Sequence, residues 1–182
     1  MSRVVLVCGA SAALHKGVDL ASKLAQAGHS VRAVLTPRAA ELVHPQLFEA
    51  VTGEPAFVRE FGEARRAAMD HIELARWCEL LVVAPATADL VARLALGLAD
   101  DLATTLALAL APSVPRVLCP AMNPHMLAAG PVARNLARLT EDGWRVLASG
   151  EGHLACGDAG RGRLLEPEAI VAALAGFAGG RS

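Results

Sequence analysis

Five short apolar runs, beginning near residues 4, 30, 80, 116 and 144, alternate with segments of helical period. Strands joined by helices pair in parallel, and the crossovers place helices on both faces of one sheet. The chain is therefore expected to be α/β, a single unit over residues 1–182 with a frayed tail from about residue 178. Apolar residues make up 54% of it and aromatics 3%, with no Tyr, so the core has to be assembled from Ala, Val and Leu. Residues 39–69 read as short helical pieces broken by Pro45, Gly53 and Pro55, and no site is placed there. Within 90–110, Gly97 is read as ending one helix and Asp100 as capping the next. The helical pattern after residue 123 reaches about Leu139, residues 144–147 form the last strand, and Pro167 opens a terminal helix to about Phe177.

Parallel sheets of this kind meet ligands in a crevice beyond the carboxyl ends of their strands, and several turns fall there. Gly9-Ala10-Ser11 gives close backbone approach, a hydroxyl and the free amides of a helix start, which suit a phosphate. Ser11 as a plain helix cap explains the same residues, and the three-glycine dinucleotide fingerprint is absent. Thr36 ends the second strand, and Pro85-Ala86-Thr87-Ala88-Asp89 follows the third. Cys119-Pro120-Ala121-Met122-Asn123-Pro124-His125-Met126 sets an uncharged amide, Asn123, just past a buried strand. An Asn cap before a first-turn proline accounts for that stretch equally well. His71 stands at the start of a helix over residues 70–77, where a neutral imidazole is favoured and a substrate anion could be met.

The formal charge of −1 gives no basic face for nucleic acid or for an anionic membrane, so neither partner is expected. No apolar run reaches the length of about 18 residues that spans a bilayer, and the first strand begins without a signal-peptide layout, which points to the cytoplasm. The four cysteines contain no Cys-x-x-Cys pair, so neither a metal site nor a disulfide framework is suggested. Cys8, Cys78 and Cys119 read as small buried hydrophobes, whereas Cys156 sits among glycines and charges, where a thiol can react.

In combination, Gly9-Ala10-Ser11 with Lys16, His71-Ile72-Glu73-Leu74, residues 84–89, residues 97–102, Pro120-Ala121-Met122-Asn123-Pro124-His125-Met126, and Ala155-Cys156-Gly157-Asp158 with Gly162-Arg163-Leu164 resemble the flavin-dependent cysteine decarboxylases from residue 3 to about 175. The resemblance implies a Rossmann-like flavoprotein fold and an FMN cofactor. Gly9, Ala10 and Ser11 would meet its phosphate or ribityl chain, joined by Thr36, and Thr87, Ala88 and Asp89 would line the flavin with Ala121 nearby. It implies decarboxylation of phosphopantothenoylcysteine to phosphopantetheine in coenzyme A biosynthesis, through thioaldehyde and enethiol intermediates. His71 would position the substrate or manage a proton, Asn123 would hold the departing carboxylate, and Met122 and Met126 would pack the substrate. Cys156, on a glycine-hinged flap, would return a proton to the enethiol.

The rival readings are a peptidyl-cysteine decarboxylase, which would stop at the enethiol and lack the Cys flap, a non-catalytic flavin-binding regulatory subunit, and a flavin prenyltransferase. The resemblance further implies a homo-oligomer, a trimer or a dodecamer of trimers, with FMN between protomers. Arg76 and Arg163 are the cations considered for the distal phosphate of the substrate. Two positions depart from the family pattern: Asp89 replaces a frequent Asn, and Leu127 replaces a frequent aromatic residue. A ligase domain like that of many bacterial relatives does not follow, so the expectation is a stand-alone decarboxylase or a fragment.

Overall fold

The computed structural model describes residues 1–62, 68–153 and 159–177. Six strands, β1 (Arg3–Cys8), β2 (Ser30–Leu35), β3 (Ala56–Phe57), β4 (Leu80–Ala86), β5 (Arg116–Pro120) and β6 (Arg145–Val146), form one parallel sheet in the order β3-β2-β1-β4-β5-β6. The chain winds outward from β1 to one edge, returns to β4 and winds to the other edge. The carboxyl ends of β1 and β4 therefore flank the point where winding reverses, which is where open sheets of this type form a crevice.

Alternation along each strand divides the core into two layers. Val4, Leu6 and Cys8 of β1 face a layer completed by Leu20 and Leu24 of α1 (Leu14–Gln26), Phe48 of α3 (Pro45–Thr52, which follows the short α2, Pro37–Ala40) and Ile170 of the terminal helix. Val5 and Val7 face the opposite layer, with Leu74 of α4 (Asp70–Trp77), Leu90 of α5 (Ala88–Leu96) and Leu106 of α6 (Leu102–Ala109). Each fully buried Leu or Val contributes about 1.5–3 kcal/mol, so a core without Tyr is made by number rather than by large rings.

Several boundaries differ from the sequence reading. β3, inside the weak region 39–69, is only two residues long and carries no periodic signal, yet Ala56 and Phe57 are buried. The cap of α6 is Asp101, not Asp100: Asp101 Oδ1 accepts from Thr104 N at 2.9 Å, and Thr104 Oγ1 accepts from Asp101 N at 3.4 Å. Asp100 pairs instead with Arg93 at 2.5 Å. The helix expected from 123 to 139 is two, α7 (Pro124–Ala128) and α8 (Gly130–Glu141), because Pro131 has no N–H to give and would collide with the carbonyl four residues back.

The glycine-rich segment forms an antiparallel hairpin, β7 (Gly150–His153) with β8 (Ala159–Arg163), before α9 (Pro167–Leu174) and a 3₁₀ turn (Ala175–Phe177). Cys156 and the expected frayed tail from 178 lie outside the described residues. Cys8, Cys78 and Cys119 are buried and unpaired by disulfide. No described helix is long and apolar enough to cross a membrane.

Candidate active site

A cavity of about 460 Å³ opens at the carboxyl ends of β1, β4 and β5, between the start of α1 and the β7–β8 hairpin. Local chemistry sets each turn on its rim. Ser11 Oγ accepts from Ala13 N at 3.2 Å, tightening the bend before α1. Thr87 Oγ1 caps α5 by accepting from Leu90 N at 3.3 Å. Asn123 caps α7, its Oδ1 accepting from His125 N at 2.8 Å ahead of Pro124. Gly9 N donates to Pro85 O at 2.9 Å and locks the first turn onto the third. The hairpin is held by Met122 N, which donates to Gly162 O at 3.0 Å. A Cβ on Gly162 would lie 2.2 Å from Met122 O, so only glycine permits that approach.

These turns bring Ala10, Ser11, Thr87, Ala88, Ala121, Met122, Asn123 and Met126, eight of the residues singled out from the sequence, to one cavity. Gly9 is not on its surface; a side chain there would strike Pro85 O at 2.9 Å, so the glycine serves the contact between turns. Thr36 is buried behind the first turn, capping α2 through Ala39 N and giving its own N–H to Cys8 O at 3.0 Å. Asp89 turns outward to Arg93, 3.2 Å away, with its side chain 63% exposed. His71 is also absent from the lining and sets Nδ1 against the Glu60 carboxylate. Arg76, at the far end of α4, does not line the cavity either.

Sequence reasoning gave no site role to His15, Lys16 or Leu164, which line the cavity as well. Lys16 was legible in one respect: it stands five residues past Ser11, in the first turn of α1. Among the described residues the cavity wall holds two permanent cations, Lys16 and Arg163, and no carboxylate. Such a wall favours anionic ligands in a protein whose formal charge is −1. Ala10, Ala12, Ala13, Ala88 and Ala121 leave room for a flat ring, and the Ser11 hydroxyl with the positive end of the α1 dipole beside it favours a phosphate. Burial pushes the Cys119 thiol up to about 12, and raises Cys8 further still, so neither supplies a nucleophile here. No metal-holding group of His, Cys, Asp or Glu occurs among the described residues.

The model of the Flavoprotein family matches residues 1–179. The chain belongs to the Flavoprotein family. This flavoprotein is 42% identical over 171 residues to the coenzyme A biosynthesis bifunctional protein CoaBC of Bacillus subtilis, covering 93% of this chain and 42% of that protein. It is 41% identical to the Haemophilus influenzae CoaBC over 96% of this chain and 43% of that protein. The flavoprotein thus spans about two fifths of the length of these relatives. Its fold is shared with a cysteine-to-serine mutant of a PPC decarboxylase complexed with pantothenoylaminoethenethiol, at TM-score 0.82, 29% identity and 97% coverage of both chains. The FMN-dependent cysteine decarboxylase SpaF is similar at TM-score 0.80, 30% identity and 98% coverage of both chains.

Proposed function

We propose that this flavoprotein binds FMN and decarboxylates phosphopantothenoylcysteine to phosphopantetheine, as a carboxy-lyase of coenzyme A biosynthesis acting in the cytoplasm within one decarboxylase domain. The observation that carries this reading is the meeting of the Asn123 turn with an alanine-walled, electropositive cavity, in a chain about 40% identical to CoaBC proteins. The residues fit the cofactor: small side chains for the ring, and the Ser11 and Thr87 hydroxyls with the positive end of the α1 dipole for its polar groups. The chemistry a bound FMN supplies is two-electron oxidation of the cysteinyl carbon–sulfur unit and the later reversal of that oxidation.

The chain's own residues orient and protonate. Asn123 holds the substrate carboxylate through a neutral amide whose carbonyl end is fixed by His125 N. A cation at this position would stabilise the carboxylate more than the departing carbon dioxide and raise the barrier. Met122 and Met126 pack the pantothenoyl arm and exclude water. Cys156 delivers a proton to the enethiol carbon once carbon dioxide has left. His71, absent from the cavity of its own protomer, acts on the substrate bound to a neighbouring copy, which supports a homo-oligomer, a trimer or a multiple of trimers.

The test is anaerobic turnover of phosphopantothenoylcysteine by the FMN-loaded protein, with products followed by mass. Saturated phosphopantetheine is expected from the wild type, and an enethiol with bleached flavin from Cys156→Ser. Absence of carbon dioxide loss from protein shown to hold FMN overturns the reading.

A further inference from the structure

The cavity's only permanent cations among the described residues, Lys16 and Arg163, converge on one carboxylate. Glu166 Oε1 accepts from Lys16 Nζ at 2.7 Å and from Arg163 Nη2 at 3.1 Å. The three groups come from different elements: α1, the end of β8 and the residue that opens α9. Lys16 is largely buried, at 16% side-chain exposure, whereas Glu166 is 57% exposed and is not part of the cavity wall. Glu168, which also feels Lys16, is taken up by Lys23 at 2.9 Å, so Lys16 and Arg163 share one carboxylate and leave a net positive charge on the cavity wall. Arg163 is further aligned by the opposite strand. Gly152, at φ 140°, lies under its side chain, and a Cβ there would come within 3.0 Å of Nη1.

We infer that Arg163, with Lys16 beside it, recognises the terminal phosphate of the phosphorylated substrate, and that Glu166 is the carboxylate this phosphate displaces. The inference rests on the decarboxylase reading above and names which residues make that enzyme prefer the phosphorylated cysteine conjugate. Glu166 is the exposed member of both pairs, and a carboxylate open to water is held weakly and readily exchanged. A phosphate dianion, which accepts a bidentate guanidinium and an ammonium together, is the stronger partner for the same two cations. A permanently bound phosphate, by contrast, would face Glu166 as a standing like charge. The cluster therefore suits a ligand that arrives and leaves with each turnover rather than the resident cofactor.

The experiment compares kcat/KM for phosphopantothenoylcysteine and for unphosphorylated pantothenoylcysteine in the FMN-loaded wild type, Arg163→Ala, Arg163→Lys and Glu166→Gln, with flavin content measured on each. In the wild type the phosphorylated conjugate is preferred. Arg163→Ala is expected to lower that preference by about 10- to 100-fold, the value of a charge-assisted hydrogen-bond pair, while flavin content stays at the wild-type level. Arg163→Lys restores part of the preference. Glu166→Gln, which removes the competing carboxylate, lowers KM for the phosphorylated conjugate.

A loss of flavin in Arg163→Ala assigns the residue to the cofactor phosphate and overturns the inference. So does an equal loss of kcat/KM on both conjugates, or a rise in KM for the phosphorylated conjugate on Glu166→Gln. Turnover of neither conjugate by the flavin-loaded wild type overturns the decarboxylase reading itself, and this inference with it.

Discussion

Asn123 carries two duties that a single atom change can separate. Its Oδ1 caps α7, a role an aspartate performs equally well, while its amide is the neutral donor proposed for the substrate carboxylate. Asn123→Asp should therefore melt within a degree or two of the wild type, yet lose about 100- to 1000-fold in turnover, the usual consequence of removing a positioned donor. Asn123→Ala should lose the cap as well, about 1 kcal/mol, visible as a lower urea midpoint. If Asn123→Asp kept full activity, the residue would be a cap and nothing more. The buried thiols give a second residue-scale expectation. Burial raises Cys78 from 9.0 to about 11 and Cys119 from 9.0 to about 12. In the unfolded chain these thiols ionise near pH 9, so above that pH the unfolded state holds fewer protons than the folded one. Stability is then complete below pH 9 and falls as pH rises from 9 toward 12. Iodoacetamide at pH 8 should leave Cys8, Cys78 and Cys119 unmodified in the native protein and label all three in urea, by peptide mass.

Elements explain which parts of the architecture the sequence announced. Short apolar runs of strand length such as residues 80–84, bounded by turn residues, read as central strands, and the Thr87 and Asn123 turns beyond them followed from strand ends and helix starts. The β7–β8 hairpin stayed hidden because its strands, Gly-Glu-Gly-His and Ala-Gly-Arg-Gly-Arg, carry glycines and charges where a strand usually alternates apolar side chains. Lys16 and Arg163 were visible as charges, but their convergence on Glu166 is tertiary, 150 residues apart for Lys16 and Glu166. The Asp100–Asp101 pair shows the same limit. Both could cap a helix, and only the position of Arg93, which reaches Asp89, Asp100 and Asp101 from one guanidinium, decides between them. Asp101→Ala removes a capping box and one of these pairs and should cost about 2 kcal/mol, measured by urea unfolding; Asp100→Ala, at the exposed end of the pair, should change stability much less. Gly162→Ala tests the hairpin. It combines a strained φ near 137° with a collision at Met122 O, so the Met122 amide should lose its protection from hydrogen exchange while the amides of β1 and β4 keep theirs.

At the scale of the whole molecule, two of the candidate groups, His71 and Asn123, do not meet at one cavity among the described residues. Asn123 lines the cavity and His71 does not. Met126, 49% exposed, lies at the cavity and presents an apolar surface outward. If a closed oligomer brings His71 of one protomer to the Asn123 cavity of the next, each site draws its two groups from two chains. His71→Asn and Asn123→Asp proteins, each expected to be at or below about a hundredth of wild-type activity alone, should then complement one another when co-expressed and co-purified. In a random equal mixture, a site receives an intact His71 half of the time and an intact Asn123 half of the time, so about a quarter of wild-type activity is expected. A site built within one chain would always lack one group, and the mixture would remain as inactive as its parts. Light scattering on the same samples checks that mixing occurred within a particle of several chains. An active mixture of that kind would fix the protein as a between-protomer enzyme, and recovery near a quarter would distinguish shared sites from contaminating wild type, whose activity would not follow the mixing ratio.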